Sequence, residues 1–220
     1  MLLHGFAMKP ETYLPLAKLL APEVRVVIPA IFELEGPWTY HRVLAKVRAT
    51  IDELGIERFS LLGHSFGGGL ELGLATSVPD RVVECVFADT LGCKERFGLA
   101  QEALRHPARI LGMASPPAAS AFFRSVLGHP AQLAAAALWG FASDREPYID
   151  RIAALRIPCH VMWASRDSLL SRSDGEEFAR RLQATFTVAS APNIDHDWMF
   201  DDPELFADRL RMLGLGVFSD

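Results

Sequence analysis

Cysteine is scarce in this chain of 220 residues, which contains three. Cys85, Cys93 and Cys159 show no CxxC spacing, so the pattern indicates free thiols in a reducing compartment, not a disulfide framework or a zinc site. Charge of one sign is also sparse, because the net charge is −5 and no block of five like charges occurs. Nucleic-acid-binding proteins usually carry a basic patch, so we expect no nucleic-acid partner.

Long hydrophobic runs are absent as well. The longest apolar run covers residues 131–142 and still contains Gln132, whereas a membrane-spanning helix needs about twenty apolar residues. The N-terminus lacks the basic start, long apolar stretch and cleavage site of a signal peptide. The sequence therefore predicts a soluble, cytoplasmic protein with no membrane partner.

Short apolar runs alternate with helical patterns along the chain, in which 50% of the residues are hydrophobic. The runs are rich in Val, Leu and Phe, as strands buried on both faces should be. Between them, apolar residues recur at helical spacing, as at Val43, Val47, Ile51 and Leu54. This alternation predicts an α/β fold, a mostly parallel twisted sheet of about six strands with helices on both faces. The predicted strands are Met1–Leu3, Val24–Ile28, Phe59–Leu62, Val82–Ala88, His160–Trp163 and Phe186–Ala189.

Residues 93–158 interrupt the alternation. They contain helix-like and Ala-rich segments cut by several prolines, and no strand pattern. Because an unstructured loop of this length is uncommon in a compact domain, we predict a small helical cap at 93–158. Residues 1–92 and 159–220 then form the core domain.

The strongest local signal is Gly63-His64-Ser65-Phe66-Gly67, which follows a predicted strand and precedes a helical pattern. In that setting, Gly-x-Ser-x-Gly is typical of a nucleophile elbow. The serine sits on a tight, strained turn, and side chains at the two glycine positions would clash with neighbouring backbone. The motif therefore predicts Ser65 as a nucleophile.

Two later motifs complete a resemblance to the α/β-hydrolase superfamily, in its serine esterase-like branch with a helical cap. Trp163-Ala-Ser-Arg-Asp167 follows the fifth predicted strand and resembles the family's WG-x-x-D acid loop. Asn193-Ile-Asp-His196 follows the last predicted strand, as the family's histidine loop does. The family's chain order is serine, acid, histidine, so the resemblance implies Ser65, Asp167 and His196 as the catalytic residues.

Each partner has a chemical task. A serine hydroxyl is a poor nucleophile at neutral pH, so His196 would take its proton as general base. Asp167 would hold the imidazole in the correct tautomer and stabilise its charged form. Asp89 ends the fourth predicted strand and is a rival, because some members of the family place their acid there. Asp195 and Asp197 flank the histidine, but sequence neighbours seldom fold back onto the ring nitrogen.

His4-Gly5-Phe6 follows the first predicted strand and resembles the family's HG-x motif. The resemblance implies that the backbone N–H groups of Phe6 and Phe66 bind the oxyanion. We expect His4 to brace its loop and His64 to pack behind the elbow, neither of them transferring protons. The remaining histidines show no metal-ligand spacing, and HExxH, GxxxxGK and GxGxxG motifs are absent. No metal and no cofactor are predicted.

The chain departs from the family pattern at its start. Typical members have two further strands before the HG motif, whereas this chain begins almost on it. Mapped onto the family, the remaining strands have the spatial order 2-1-3-4-5-6, with a ligand crevice between the first and third strands. Val24–Ile28 becomes an exposed apolar edge. We therefore expect either a homodimer that covers this edge or a natural start that lies upstream.

Five apolar residues of the insertion are candidates for the substrate pocket, although side chains at helical spacing are more often core. We expect a small to medium apolar acyl or alcohol group, because desolvating a charge needs a fixed partner. The leading hypothesis is a carboxylic ester hydrolase with an acyl-enzyme intermediate and a small-molecule ester substrate. The alternatives are a C–C bond hydrolase or a perhydrolase with the same triad, or a non-catalytic ligand receptor of the same fold. The five pocket candidates are Met113, Phe122, Phe123, Trp139 and Phe141.

Overall fold

The computed structural model describes residues 1–92, 123–192 and 194–214. In these ranges a single sheet has the order β1-β2-β3-β4-β5, and every neighbouring pair is parallel. The parallel sheet of the predicted α/β fold is confirmed. Its strands are β1 (Leu2–Leu3), β2 (Phe59–His64), β3 (Val82–Ala88), β4 (Cys159–Ala164) and β5 (Thr185–Ala189).

Helices cover both faces of this sheet. Along β3 the side chains alternate, so that Cys85 and Phe87 join one hydrophobic core and Val86 and Ala88 join the other. Helices α2 to α6 contribute side chains to the first of these cores, and α1, α7 and α8 to the second. Their bounds are α1 (Leu14–Leu20), α2 (Tyr40–Glu53), α3 (Phe66–Ser77), α4 (Pro130–Ala142), α5 (Glu146–Leu155), α6 (Arg172–Leu182), α7 (Trp198–Asp201) and α8 (Pro203–Met212), with 3₁₀ turns at Pro10–Tyr13 and Pro79–Arg81.

The predicted helical repeat before Gly55 is confirmed as α2. Its start is capped by Thr39, whose hydroxyl accepts a hydrogen bond from the Arg42 amide at 3.3 Å. Val43, Val47 and Ile51 are buried against the first face of the sheet. The chain leaves the helix at Gly55, which has a φ of 64°, a conformation that suits glycine at a helix end.

The prediction of a strand at Val24–Ile28 is wrong. The segment runs beside β1, but a single backbone bond joins them, from the Leu2 amide to the Val27 carbonyl at 2.9 Å. Because β1 has two residues, most of this segment faces a cavity of about 740 Å³ that separates it from β2. Among the described residues its backbone therefore has no continuous partner with which to form a ladder. Val24, Val26 and Ile28 are partly buried against the second face.

Because the five strands are parallel, their carboxyl ends all lie at the same end of the sheet. His4 follows β1, Ser65 follows β2, Asp89 follows β3, and Asp167 comes three residues after β4. His196 lies in the segment between β5 and α7. Parallel strands thus carry the residues singled out by the sequence motifs to one side of the molecule, where open α/β sheets bind ligands.

The division into core and cap stays a prediction. Helices α4 and α5 belong to the predicted insertion, whereas most of its first half lies outside the described residues. Within the part of the chain that the structure describes, every helix is too short or too polar to cross a membrane.

Candidate active site

Ser65 stands on a strained turn between β2 and α3. Its backbone has φ 52° and ψ −117°, a conformation that side-chain-bearing residues adopt only when the surroundings impose it. Hydrogen bonds of its backbone, among them one from the Leu91 amide to its carbonyl at 3.4 Å, impose it here. The Ser65 amide donates to the Ala88 carbonyl at 3.0 Å, and the Ser65 carbonyl accepts from the Gly68 amide at 3.1 Å and the Thr90 hydroxyl at 2.9 Å. The turn predicted from the glycine motif is therefore present.

The glycines of the motif are required by close backbone approach. A Cβ on Gly67 would overlap the carbonyl group of Leu3 in β1, and a Cβ on Gly63 would overlap the backbone of Gly68 and the side chain of Glu71. In both places glycine lets α3 lie directly against the sheet. The start of α3 is thereby fixed next to the end of β1.

Three side chains from separate strand ends form one hydrogen-bonded row. The Ser65 hydroxyl oxygen lies 2.9 Å from His196 Nε2, and His196 Nδ1 lies 2.9 Å from Asp167 Oδ2. The second oxygen of Asp167 accepts hydrogen bonds from the amides of Leu169 and Leu170, both at 2.8 Å. Because that carboxylate only accepts, Nδ1 carries the proton and Nε2 can face the serine as an acceptor.

The electrostatics of the pair follow from burial and from mutual attraction. Burial favours the neutral form of His196, but the facing Asp167 carboxylate outweighs it and holds the pKa of His196 above its ordinary 6.5. Burial likewise opposes the charge on Asp167, yet His196 and the two amide donors lower the pKa of Asp167 below its usual value. The carboxylate is therefore ionised and stabilises a positive charge on the imidazole.

Asp89, the rival acid, binds other partners. It is fully buried, its Oδ1 accepts from the Ala164 amide at 2.7 Å, and its Oδ2 accepts from the Trp198 indole N–H. Burial raises the pKa of Asp89. The carboxylate thus joins the ends of β3 and β4 to α7, while the nitrogen of His196 that faces a carboxylate is bonded to Asp167.

Asp195 has a bridging role that sequence reasoning missed. Its Oδ1 accepts from the amides of Ser168 and His196, both at 2.7 Å. Through these two hydrogen bonds it connects the loop that carries Asp167 to the loop that carries His196. An aspartate directly before the histidine was the available sequence signal, but its partners are backbone groups that the sequence does not reveal.

The loop after β1 lies beside the elbow. The rings of Phe6 and Phe66 have centroids 5.8 Å apart, and the Phe66 amide belongs to the first turn of α3. His4 is buried, donates from Nδ1 to the Gly5 carbonyl at 3.1 Å and accepts from the Ile31 amide at Nε2. Burial lowers the pKa of His4 to about 4. His4 therefore braces the loop as a neutral side chain, as expected.

Among the described members of the five predicted pocket residues, Trp139 contacts the elbow. Its ring contacts Phe66 at a centroid distance of 5.3 Å and stacks on Tyr40 at 4.6 Å. Phe123 and Phe141 are exposed, at 53% and 37%. Met113 and Phe122 lie outside the described residues.

One group of potential metal ligands occurs among the described side chains. His64, His196 and Asp197 bring ligand atoms within 4.8 Å of one another. Both ring nitrogens of each histidine already have hydrogen-bonding partners within the protein. A metal at this place would have to break those bonds, so the arrangement fits proton transfer better than metal ligation.

The chain is similar to several known proteins. The chain is 27% identical over 195 residues, 77% of this chain and 68% of the other, to a protein of Mycobacterium phage D29 named for non-heme haloperoxidase activity. A thermophilic esterase from Thermogutta terrifontis has a TM-score of 0.78 at 22% identity, covering 99% of this chain and 89% of its own. An enol-lactonase from Burkholderia xenovorans LB400 has a TM-score of 0.71 at 17% identity, covering 96% and 89%.

The likeness to the two solved structures concerns the fold. The family assignment comes from the sequence, because the model of the alpha/beta hydrolase family matches residues 1–209. That match spans the elbow, the acid loop and the histidine loop described above. The chain therefore belongs to the alpha/beta hydrolase family, and this membership supports a hydrolase activity.

Proposed function

We propose that the protein is a serine hydrolase that cleaves a carboxylic ester through an acyl-enzyme intermediate. The observation that carries the proposal is the row from the Ser65 hydroxyl through His196 to Asp167, with both contacts at 2.9 Å. A serine, an imidazole and a carboxylate in this order form the apparatus of nucleophilic acyl transfer. In this proposal the three residues are nucleophile, general base and orienting acid.

Acylation begins when the Ser65 oxygen attacks the ester carbonyl carbon. His196 Nε2 takes the hydroxyl proton as the new C–O bond forms. The carbonyl electron pair moves to oxygen, where the Phe6 and Phe66 amides would donate hydrogen bonds to the negative charge. When the carbonyl re-forms, the bond to the alcohol oxygen breaks, and that oxygen receives the proton from His196.

Deacylation repeats these steps with water as the nucleophile. Water gives a proton to His196 Nε2 and adds its oxygen to the acyl carbon. The bond to Ser65 then breaks, the serine oxygen recovers the proton, and the carboxylic acid leaves. Asp167 stays ionised throughout and stabilises the imidazolium in both halves of the reaction.

An apolar substrate group is supported by the aromatic surroundings of the elbow. Phe66 contacts Phe6, Phe32, Trp38 and Trp139 at ring-centroid distances between 5.3 and 5.9 Å. Such side chains offer a large apolar surface that gains free energy when an acyl or alcohol chain covers it. A charged substrate group would have to give up its hydration beside them.

The test is a panel of p-nitrophenyl esters of increasing acyl length, assayed with the wild type and with Ser65→Ala. We expect hydrolysis in the wild type, loss of turnover in Ser65→Ala, and an acyl adduct on Ser65 by mass spectrometry. Ser77→Ala is the matched control, because Ser77 lies at the far end of the same helix and its hydroxyl bonds the Leu74 carbonyl. Ester cleavage that persists in Ser65→Ala would contradict the proposal.

A second candidate is perhydrolysis, which the similarity to the phage protein named as a haloperoxidase favours. In that reaction hydrogen peroxide replaces water in deacylation, and the acyl group leaves as a peracid. Adding hydrogen peroxide during ester turnover and measuring peracid formation distinguishes the two. Formation of carboxylic acid alone would support ester hydrolysis.

A further inference from the structure

The hydroxyl of Tyr13 lies between the loop after β1 and the nucleophile elbow. Tyr13 is the last residue of the 3₁₀ turn Pro10–Tyr13 and is fully buried. Its oxygen accepts a hydrogen bond from the Gly5 amide at 2.7 Å and lies 2.9 Å from His64 Nδ1. One side chain thus joins two segments of the candidate active site.

The direction of each hydrogen bond in this cluster follows from its ends. His64 Nε2 lies 3.1 Å from the His196 carbonyl oxygen, which can only accept, so Nε2 carries the proton. Burial lowers the pKa of His64 to about 3 and raises the pKa of Tyr13. The neutral imidazole therefore accepts the Tyr13 proton at Nδ1. The resulting chain of donors runs from Gly5 through Tyr13 and His64 to His196.

This row of hydrogen bonds from Gly5 to His196 is tightly enclosed. The ring of Phe200 meets Tyr13 edge-on at 4.6 Å and His64 at 5.5 Å. A Cβ on Gly5 would lie 3.1 Å from His64 Nδ1, so the glycine leaves room for the Tyr13–His64 bond. The Asp197 carboxylate lies 3.9 Å from His64 Nε2. Little space remains for these side chains to move independently of the loops they join.

We propose that Tyr13 and His64 are positioning residues. They fix the spacing between the loop after β1, which carries the Gly5 and Phe6 amides, and the backbone of His196. The inference rests on the proposed function. Gly5 precedes the Phe6 amide, a donor assigned to the oxyanion, and His196 is the assigned base. The amide acts on the carbonyl oxygen and His196 on the Ser65 hydroxyl, so a change in their separation would misalign two groups that act in the same step, and misplacement of this kind costs up to about 100-fold in rate.

Tyr13→Phe tests the proposal, because it removes the hydroxyl and both of its hydrogen bonds while keeping the ring. The readout is the rate at which a fluorophosphonate probe labels Ser65, which needs the nucleophile and the oxyanion site but no knowledge of the natural substrate. We expect labelling to slow roughly 10- to 100-fold, with kcat for the best ester falling in parallel and KM nearly unchanged. Tyr148→Phe deletes a hydroxyl on α5 and is the matched control.

A second measurement separates this inference from the proposed function. In the Ser65→Ala background, the amide and imidazole ¹⁵N signals of His196 should shift in Tyr13→Phe and stay in place in Tyr148→Phe. Failure of the wild type to be labelled at Ser65 would contradict the proposed function, while the NMR comparison would still decide the positioning role. The positioning role would be overturned if Tyr13→Phe were labelled within twofold of the wild-type rate, or if its His196 signals did not move.

A second variant guards against misfolding of Tyr13→Phe. His64→Gln can keep an amide N–H donor for the His196 carbonyl, but it has no acceptor at the position of Nδ1, the atom that faces Tyr13. If the two residues act as one link, the double variant Tyr13→Phe/His64→Gln should label Ser65 no more slowly than the slower single variant. Losses that multiply would mean that the residues act separately, and would overturn the proposal.

Discussion

At the residue scale, two buried aspartates at neighbouring strand ends bind different kinds of partner. Asp167 contacts the His196 ring, whereas Asp89 receives hydrogen bonds from the Ala164 amide and the Trp198 indole. The first carboxylate can stabilise charge that develops during a reaction. The second satisfies two buried donors that would otherwise lack partners, which is a contribution to stability.

We predict that Asp167→Asn and Asp89→Asn fail in different ways. Asp167→Asn should lower kcat by about 10⁴-fold, because the amide cannot stabilise the imidazolium or fix its tautomer. Asp89→Asn should keep most turnover but lose about 1–3 kcal/mol of stability, since its NH₂ group would face a donor. Ester kinetics and urea unfolding of both variants provide the measurements. If only Asp89→Asn lost turnover, Asp89 and not Asp167 would be the acid that acts on His196, which would contradict the prediction.

The pH dependence of activity is a second prediction at this scale. His196 must be deprotonated to accept the serine proton, and Asp167 holds its pKa above 6.5. The rate should therefore rise with pH, and its midpoint should lie above 6.5. Asp167→Asn removes the attraction for the charged imidazole, so the His196 titration should move to lower pH. NMR titration of His196 in both proteins measures this, and an unchanged midpoint would contradict the prediction.

The residues of the candidate site were predictable to different degrees. Ser65, Asp167 and His196 stand in motifs with a fixed relation to strand ends, so their types and spacing identify them. Tyr13 and Asp195 act through hydrogen bonds to partners distant in sequence, the His64 ring for Tyr13 and the Ser168 amide for Asp195. No local pattern records such a partner, because the contact exists only after the loops have folded together.

At the element scale, strands buried on both faces were predictable and the edge segment was not. β3 has the predicted bounds, and β2, β4 and β5 extend their predictions by one or two residues. The largely apolar sequences of β3 and β4 reflect burial by helices on both sides, whereas the edge strand β5 is mostly half-buried. Val24–Ile28 has a similar composition, but a strand also needs a paired neighbour, and the two residues of β1 supply one backbone bond.

The packing of α3 on β1 yields a prediction about the elbow. Gly67→Ala would place a methyl group into the Leu3 carbonyl, which is backbone and cannot turn aside. We expect a loss of about 3 kcal/mol or more in the free energy of unfolding, or failure to fold. Gly128→Ala is the control, since Gly128 lies at the end of the helical residues 123–128 and open space surrounds its Cβ position, where alanine favours helix by up to about 1 kcal/mol. Equal urea midpoints for the two variants would contradict this packing argument.

At the scale of the whole molecule, the sheet formed by the described residues ends in two edge strands, β1 and β5. Segment 24–28 flanks β1, and no backbone bond joins Val26 to another strand among the described residues. Val24, Val26 and Ile28 still pack against the second face. An apolar, extended edge of this kind can pair with another chain.

The predicted homodimer makes this edge testable. Two copies related by a two-fold axis could pair their 24–28 segments, an arrangement in which the same surface serves both subunits. The Leu2–Val27 bond turns the polar groups of Val27 towards β1, so those of Val26 face outwards.

Val26→Pro removes this outward N–H, whereas Val26→Ala shortens the side chain but keeps the N–H. We expect sedimentation velocity to show a dimer for wild type and Val26→Ala and a monomer for Val26→Pro, with unchanged circular dichroism. A wild-type monomer at every concentration would contradict the prediction, and a Val26→Pro dimer would place the interface elsewhere.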